Sequence, residues 1–175
     1  MPAEKLLIRK AAVLGAGVMG AQIAAHLTNA GVETVLFDLA AKEGPKNGIA
    51  VKAIANLGKL SPAPLALKSL ASSITPADYD ENLDELKTCD LVIEAIAERM
   101  DWKLDLYRKI APHLPVHAIV ASNTSGLSVN TLSEALPDEL RHRFCGVHFF
   151  NPPRYMHLVE LVPGKSTDPA VLQGL

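Results

Sequence analysis

Four polar side chains stand where the sequence is otherwise apolar or turning. His148 lies in Val-His-Phe-Phe and Glu160 in Leu-Val-Glu-Leu-Val. Ser125 closes the cluster Ser122-Asn123-Thr124-Ser125, and Glu98 follows the apolar run Asp90–Ile96. A carboxylate inside an apolar run is costly to bury unless it is paired. The Asn151-Pro152-Pro153 break between His148 and Glu160 would fold their two strands together. Paired in this way, the carboxylate would orient the imidazole for general-base work near neutral pH. Spacing leaves a second arrangement open, with Glu160 facing solvent from an edge strand and His148 an ordinary core histidine.

A base of this kind needs something to act on, and the N-terminal stretch Gly15-Ala16-Gly17-Val18-Met19-Gly20 points to a nucleotide. The stretch follows an apolar strand-like run and opens an apolar helix-like one. Gly15 permits the tight turn, Gly17 lets backbone approach a pyrophosphate, and Gly20 lets the helix pack closely. The unpaired N–H groups at Val18, Met19 and Gly20, with the helix dipole, then favour an anion. Asp38 ends the next strand about 20 residues on, where an acid accepts both ribose hydroxyls and repels a 2′-phosphate. The expected cofactor is therefore NAD rather than NADP.

These groups need a scaffold that presents them at one rim. Apolar runs predict strands at Arg9–Leu14, Thr34–Asp38, Ala71–Thr75, Asp90–Ile96, His117–Ala121, Arg143–Phe150 and Leu158–Val162. Helical spacing predicts helices at Val18–Ala30, Pro45–Leu57, Asp101–Leu114 and near Asn130–Leu136, with a further helical turn at Leu65–Leu70. In the third of these the apolar stripe is read as Leu104, Tyr107 and Ile110–Ala111. Alternation of strand and helix predicts an α/β, doubly wound, Rossmann-type sheet, mostly parallel, with helices on both faces. In such sheets ligands lie outside the carboxyl ends of the strands. Glu98, Ser125 and His148 all fall near those ends.

Composition narrows the partners. At 175 residues, 49% hydrophobic and 21% charged, the chain can bury a core. A net charge of −2 provides no basic field for nucleic acid or for a membrane surface. Residues 1–5, Met-Pro-Ala-Glu-Lys, contain no apolar signal core, and no apolar run reaches spanning length. Cys89 and Cys145 fit no metal spacing and read as buried small hydrophobes, which suits a reducing compartment such as the cytoplasm. His26, His113, His117, His142 and His157 show no ligand pattern, so no metal is expected.

Four motifs, in order, carry a resemblance. They are Gly-Ala-Gly-Val-Met-Gly, Val-Ile-Glu-Ala-Ile-Ala-Glu, Ala-Ser-Asn-Thr-Ser-Gly-Leu, and Gly-Val-His-Phe-Phe-Asn-Pro-Pro followed by Leu-Val-Glu-Leu-Val. Together they closely resemble the NAD-binding domain of the L-3-hydroxyacyl-CoA dehydrogenases, including the multifunctional fatty-acid oxidation proteins. The resemblance implies oxidation of L-3-hydroxyacyl-CoA to 3-oxoacyl-CoA by NAD. It implies that His148 is the base, Glu160 its partner carboxylate and Ser125 a hydrogen-bonding contact of the substrate oxygen. It further implies that Asp38 holds the adenosine ribose, that Glu98 and Lys103 contact the cofactor, and that Asn151 lies near the nicotinamide.

The resemblance also divides the chain. Residues 1–165 are expected to form the NAD-binding domain and 166–175 the start of a linker to a C-terminal helical domain that the chain does not include. In the family that domain carries dimer contacts and part of the acyl pocket. The intact protein is accordingly expected to be a homo-oligomer, and this piece weakly active or inactive. The segment Ala40–Leu70 is shorter and richer in proline than the family's CoA-holding hairpin, leaving Lys52, Lys59 and Lys68 as candidate phosphate partners. Gly126 stands where many relatives have a second serine. Two other readings remain, a dehydrogenase of another 3-hydroxy acid and a non-catalytic NAD-binding module. The second would need none of His148, Glu160 and Ser125.

Overall fold

Ala11, Ala12, Val13 and Leu14 are all fully buried, although alternate side chains of a strand point to opposite faces. A strand apolar on both faces must be covered on both, which calls for a central position between two helical layers. The computed structural model, which describes residues 6–175, has that arrangement. Residues 1–5, read above as lacking a signal core, lie outside the described residues.

Among the described residues seven strands form one sheet in the order β3-β2-β1-β4-β5-β6-β7. They are β1 (Lys10–Leu14), β2 (Glu33–Asp38), β3 (Ile74–Asp78), β4 (Leu91–Glu94), β5 (Ile119–Ser122), β6 (Phe144–Phe149) and β7 (Val159–Pro163). The first six are mutually parallel, and β7 runs antiparallel to β6. The chain order reverses at β1, with β2 on one side and β4 on the other, so the crevice for a ligand opens there.

The helices divide between the faces. One core joins Val13, Leu36, Ile93 and Ala121 to α1 (Val18–Asn29), α2 (Gly48–Leu57) and α6 (Pro169–Gly174). The other joins Leu14, Phe37, Val92 and Phe144 to α3 (Met100–Ile110), α4 (Val129–Ser133) and α5 (Asp138–Arg141). Among the described residues no helix is long and apolar enough to cross a membrane. Both cysteines are buried and unpaired.

Several elements differ from the sequence reading. The third strand is Ile74–Asp78 rather than Ala71–Thr75, and it contains Pro76. It lies at the sheet edge, where a missing N–H on the open side costs no ladder hydrogen bond. Helix α2 begins at Gly48, not Pro45, and a 3-10 turn spans Lys68–Ser73 where a helical turn at Leu65–Leu70 was expected. The buried stripe of α3 runs through Lys103, Leu106, Tyr107 and Ile110, with Leu104 only half-buried. Residues 166–175, expected as the start of a linker, continue the packed structure. Thr167 Oγ1 donates to the Phe144 carbonyl at 2.6 Å, and Val171 enters the core.

Candidate active site

The glycine turn joins β1 to α1. Gly15 has φ +102°, a conformation that favours glycine, and a Cβ there would meet the Ala95 carbonyl at 2.9 Å. A Cβ on Gly20 would stand 1.7 Å from the Gly15 carbonyl oxygen. Gly17 differs, since a Cβ there would meet nothing within 4 Å. The space beside Gly17 is thus open, as an incoming pyrophosphate requires. Gly17 is also the N-cap of α1, where no side chain caps the helix and no acid occupies the first turn. Val18 is exposed, and Met19 packs partly against the core behind it.

Asp38 ends β2 beside this turn. Its Oδ2 accepts from the Ala16 N–H at 2.6 Å, and its Oδ1 from the Leu39 N–H at 2.7 Å. One carboxylate therefore ties the second strand to the turn. A cleft of about 560 Å³ opens here, bounded by Gly15, Gly17 and Asp38 and by Ala95, Ile96 and Trp102 across β1.

The carboxyl ends of β4 and β5 carry a buried polar network. Glu94 and Lys103 are both withdrawn from solvent and paired. Glu94 Oε1 takes Lys103 Nζ and the Ile96 N–H, and Oε2 takes Tyr107 OH at 2.9 Å and Ser122 Oγ at 2.7 Å. Four donors on one carboxylate satisfy a charge that would otherwise be expensive to bury. Burial and the adjoining Glu94 charge hold the Tyr107 phenol protonated well above its ordinary range.

Lys103 also lies 3.6 Å from Glu98 Oε2. The other oxygen of Glu98 accepts from Thr124 Oγ1 and from the N–H groups of Ser125 and Gly126, both at 3.0 Å. Burial alone would push the Glu98 carboxyl upward. The Thr124 hydroxyl, the Gly126 and Ser125 amides and the Lys103 charge outweigh it, and the net shift is downward. Glu98 is thus held as a carboxylate that clasps the loop after β5, and this clasp sets the backbone of Ser125.

His148 and Glu160 face each other directly across the β6–β7 ladder. His148 Nδ1 and Glu160 Oε2 are 2.8 Å apart. Of the two arrangements that spacing left open, the paired one is present, while Glu160 is half-exposed on an edge strand and the His148 side chain is 19% exposed. A carboxylate only accepts, so Nδ1 carries the proton, and in the neutral imidazole Nε2 is the nitrogen with the lone pair. Phe150 stands against the imidazole, with ring centroids 4.6 Å apart. The exposed Asn151 follows, its Oδ1 3.3 Å from Gln22 Nε2 on α1.

All the candidates except Lys103 therefore sit at the carboxyl rim of the sheet, spread from β2 to β7, while Lys103 lies beneath that rim among buried groups. Lys52, Lys59 and Lys68 are exposed on α2 and the segments after it. Sequence reasoning did not single out Asn123, whose Oδ1 accepts from the Phe149 N–H at 2.9 Å and so pins the end of β6 beside His148. It also left out Glu94 as a network centre. Its signal was present, since Lys103 and Tyr107 stand four apart on one helix face beneath the end of β4.

Comparison with known proteins identifies a family. The family described as "3-hydroxyacyl-CoA dehydrogenase, NAD binding domain" matches residues 10–175. A probable 3-hydroxyacyl-CoA dehydrogenase of Deinococcus radiodurans is 41% identical over 95% of this chain and 48% of its own length. A putative fatty acid oxidation complex trifunctional enzyme of Rickettsia felis is 46% identical over 89% of this chain and 22% of its own length. The crystal structure of 3-hydroxybutyryl-CoA dehydrogenase from Escherichia coli K12 superposes with a TM-score of 0.79 at 29% identity, over 96% of this chain and 35% of that one. The chain spans less than half the length of these relatives. With a match over nearly all its residues, it belongs to the NAD-binding domain family of the 3-hydroxyacyl-CoA dehydrogenases.

Proposed function

We propose that this chain serves NAD-dependent oxidation of L-3-hydroxyacyl-CoA to 3-oxoacyl-CoA, a step of fatty-acid oxidation. The observation that carries the reading is the His148–Glu160 pair at 2.8 Å, on the rim that continues from the glycine turn. Cofactor binding alone needs no such pair. The open position at Gly17, the uncapped start of α1 and the acid at Asp38 fit NAD.

Bound NAD supplies the hydride acceptor. His148 takes the proton of the 3-hydroxyl on Nε2 as the carbon–hydrogen bond is lost, and Glu160 stabilises the imidazolium that results. Ser125 would hydrogen-bond the substrate oxygen, and Asn151 would help hold the nicotinamide end of the cofactor. Glu98 sets the loop that carries Ser125, and Lys103 acts through Glu98 from below. Exposed Lys52, Lys59 and Lys68 are candidates for the phosphates of CoA. Two unpaired cysteines fit a reducing compartment such as the cytoplasm.

The test follows NADH absorbance with acetoacetyl-CoA in the full-length protein, comparing wild type with His148→Ala. The expected loss in kcat is about 10²- to 10⁴-fold, with NADH affinity retained. An unchanged kcat removes His148 as the base.

A further inference from the structure

Trp102 is the single tryptophan of the chain, and it is 50% exposed on the first turn of α3. Packing does not explain it, because the buried stripe of α3 runs through Lys103, Leu106, Tyr107 and Ile110. The indole instead borders the 560 Å³ cleft from the β4–α3 side, while Asp38 and Leu39 border it from the β2 side.

The ring is braced from outside. The Arg99 guanidinium carbon lies 4.5 Å from the ring centroid. Asp101 holds that guanidinium through two hydrogen bonds, Nε to Oδ1 at 3.1 Å and Nη2 to Oδ2 at 2.6 Å. A bidentate carboxylate fixes an arginine plane, and a fixed arginine fixes the aromatic face against it. Arg99 covers one face of the indole, and the Trp102 side chain also lines the cleft.

We propose that Trp102 is the specificity-determining residue of the adenosine half-site, its cleft face being the stacking surface for a purine base whose ribose Asp38 holds. This rests on the NAD reading above. The wall is sequence-tolerant among purines, because every base offers a π-face, and it favours the larger purine over a pyrimidine by overlap. Arg99 and Asp101 preorganise the wall, so little side-chain freedom is lost when the base arrives.

The test uses the fluorescence of Trp102 and the affinities of half-ligands. ADP-ribose carries the adenosine half without nicotinamide, and nicotinamide mononucleotide carries the opposite half. ADP-ribose is expected to quench the wild-type emission, and nicotinamide mononucleotide to leave it unchanged. By calorimetry, Trp102→Ala should weaken ADP-ribose and NADH by the same factor, about 5- to 100-fold. Trp102→Leu keeps apolar bulk and helix propensity but has no π-face, and it should show a loss of similar size. Circular dichroism checks that each variant is folded. Wild-type affinity for ADP-ribose in folded Trp102→Ala or Trp102→Leu overturns the stacking role and leaves the NAD reading intact. A wild type that binds neither ADP-ribose nor NADH overturns both.

Discussion

The carbonyl oxygen of Gly15 occupies the place where a Cβ of residue 20 would be, 1.7 Å from its ideal position. The turn and the first helical turn are thus in backbone contact, and the third glycine is required by the first. Gly17 is under no such constraint within the chain. The two positions should separate stability from binding. Gly20→Ala is expected to destabilise the fold by about 1–3 kcal/mol or more, as overpacking against backbone does. Gly17→Val should leave the urea midpoint close to wild type and weaken NADH by about tenfold or more. Equal loss of stability in the two variants would contradict this division.

The buried pair Glu94–Lys103 predicts a characteristic double-mutant cycle. Lys103→Met leaves a carboxylate buried without its cation and should cost about 3–5 kcal/mol. Glu94→Gln strands the ammonium and should cost a similar amount. The double variant Glu94→Gln/Lys103→Met removes both charges and should recover more than half of either loss, measured by chemical denaturation. Additive losses in the double variant would show that the two residues are not one unit.

Glu98 predicts a pH dependence. Its folded-state value lies below the ordinary 4.5, so its contribution to stability is present above that pH and is lost as pH falls through the folded value. The Glu98 side chain is 42% exposed, and solvent screening limits the energy involved. The group of interactions at risk is the clasp on Thr124, Ser125 and Gly126. Backbone amide exchange or NMR shifts of Ser125 and Gly126 should therefore change in acid ahead of global unfolding. In Glu98→Gln that early transition should vanish. Its persistence would place the titration elsewhere.

The thiols should be inert in the native state. Burial pushes Cys89 up to about 12 and Cys145 up to about 11. At pH 8 the thiolate fractions are then on the order of 10⁻⁴ and 10⁻³, against about a quarter for an ordinary exposed thiol. A thiol reagent should label both cysteines at the rate of unfolding and not before. Rapid stoichiometric labelling of folded protein would contradict their burial.

Much of the scaffold was legible because its signals are local. The strand β1, the glycine turn and Asp38 form a fixed arrangement of residue types, and the buried strands β4 and β5 are continuous apolar runs. The His148–Glu160 pair was legible as one of two alternatives, since a proline turn brings the strands together but does not specify register. Ser122 and Lys103 were harder. Each is polar or amphipathic and reads as solvated by itself, and only the tertiary meeting of β4, β5 and α3 on Glu94 makes them interior. The edge strand β3 was displaced for a similar reason. Pro76 argues against a strand until the open edge is known.

The antiparallel turn into β7 has a further consequence. Five strands arrive by crossovers and the last by doubling back, and His148 and Glu160 lie on the two sides of that reversal. Their meeting is therefore written into main-chain pairing, with His148 opposite Glu160 as Val147 is opposite Leu161. A slip of one residue would swing Glu160 to the other face of the sheet and leave an aliphatic side chain opposite the imidazole. Changes in the length of the 152–158 connection leave this pairing intact so long as the ladder re-forms in this register. Insertions inside β7 are not, so this short and largely exposed strand tolerates changes of side chain better than changes of length.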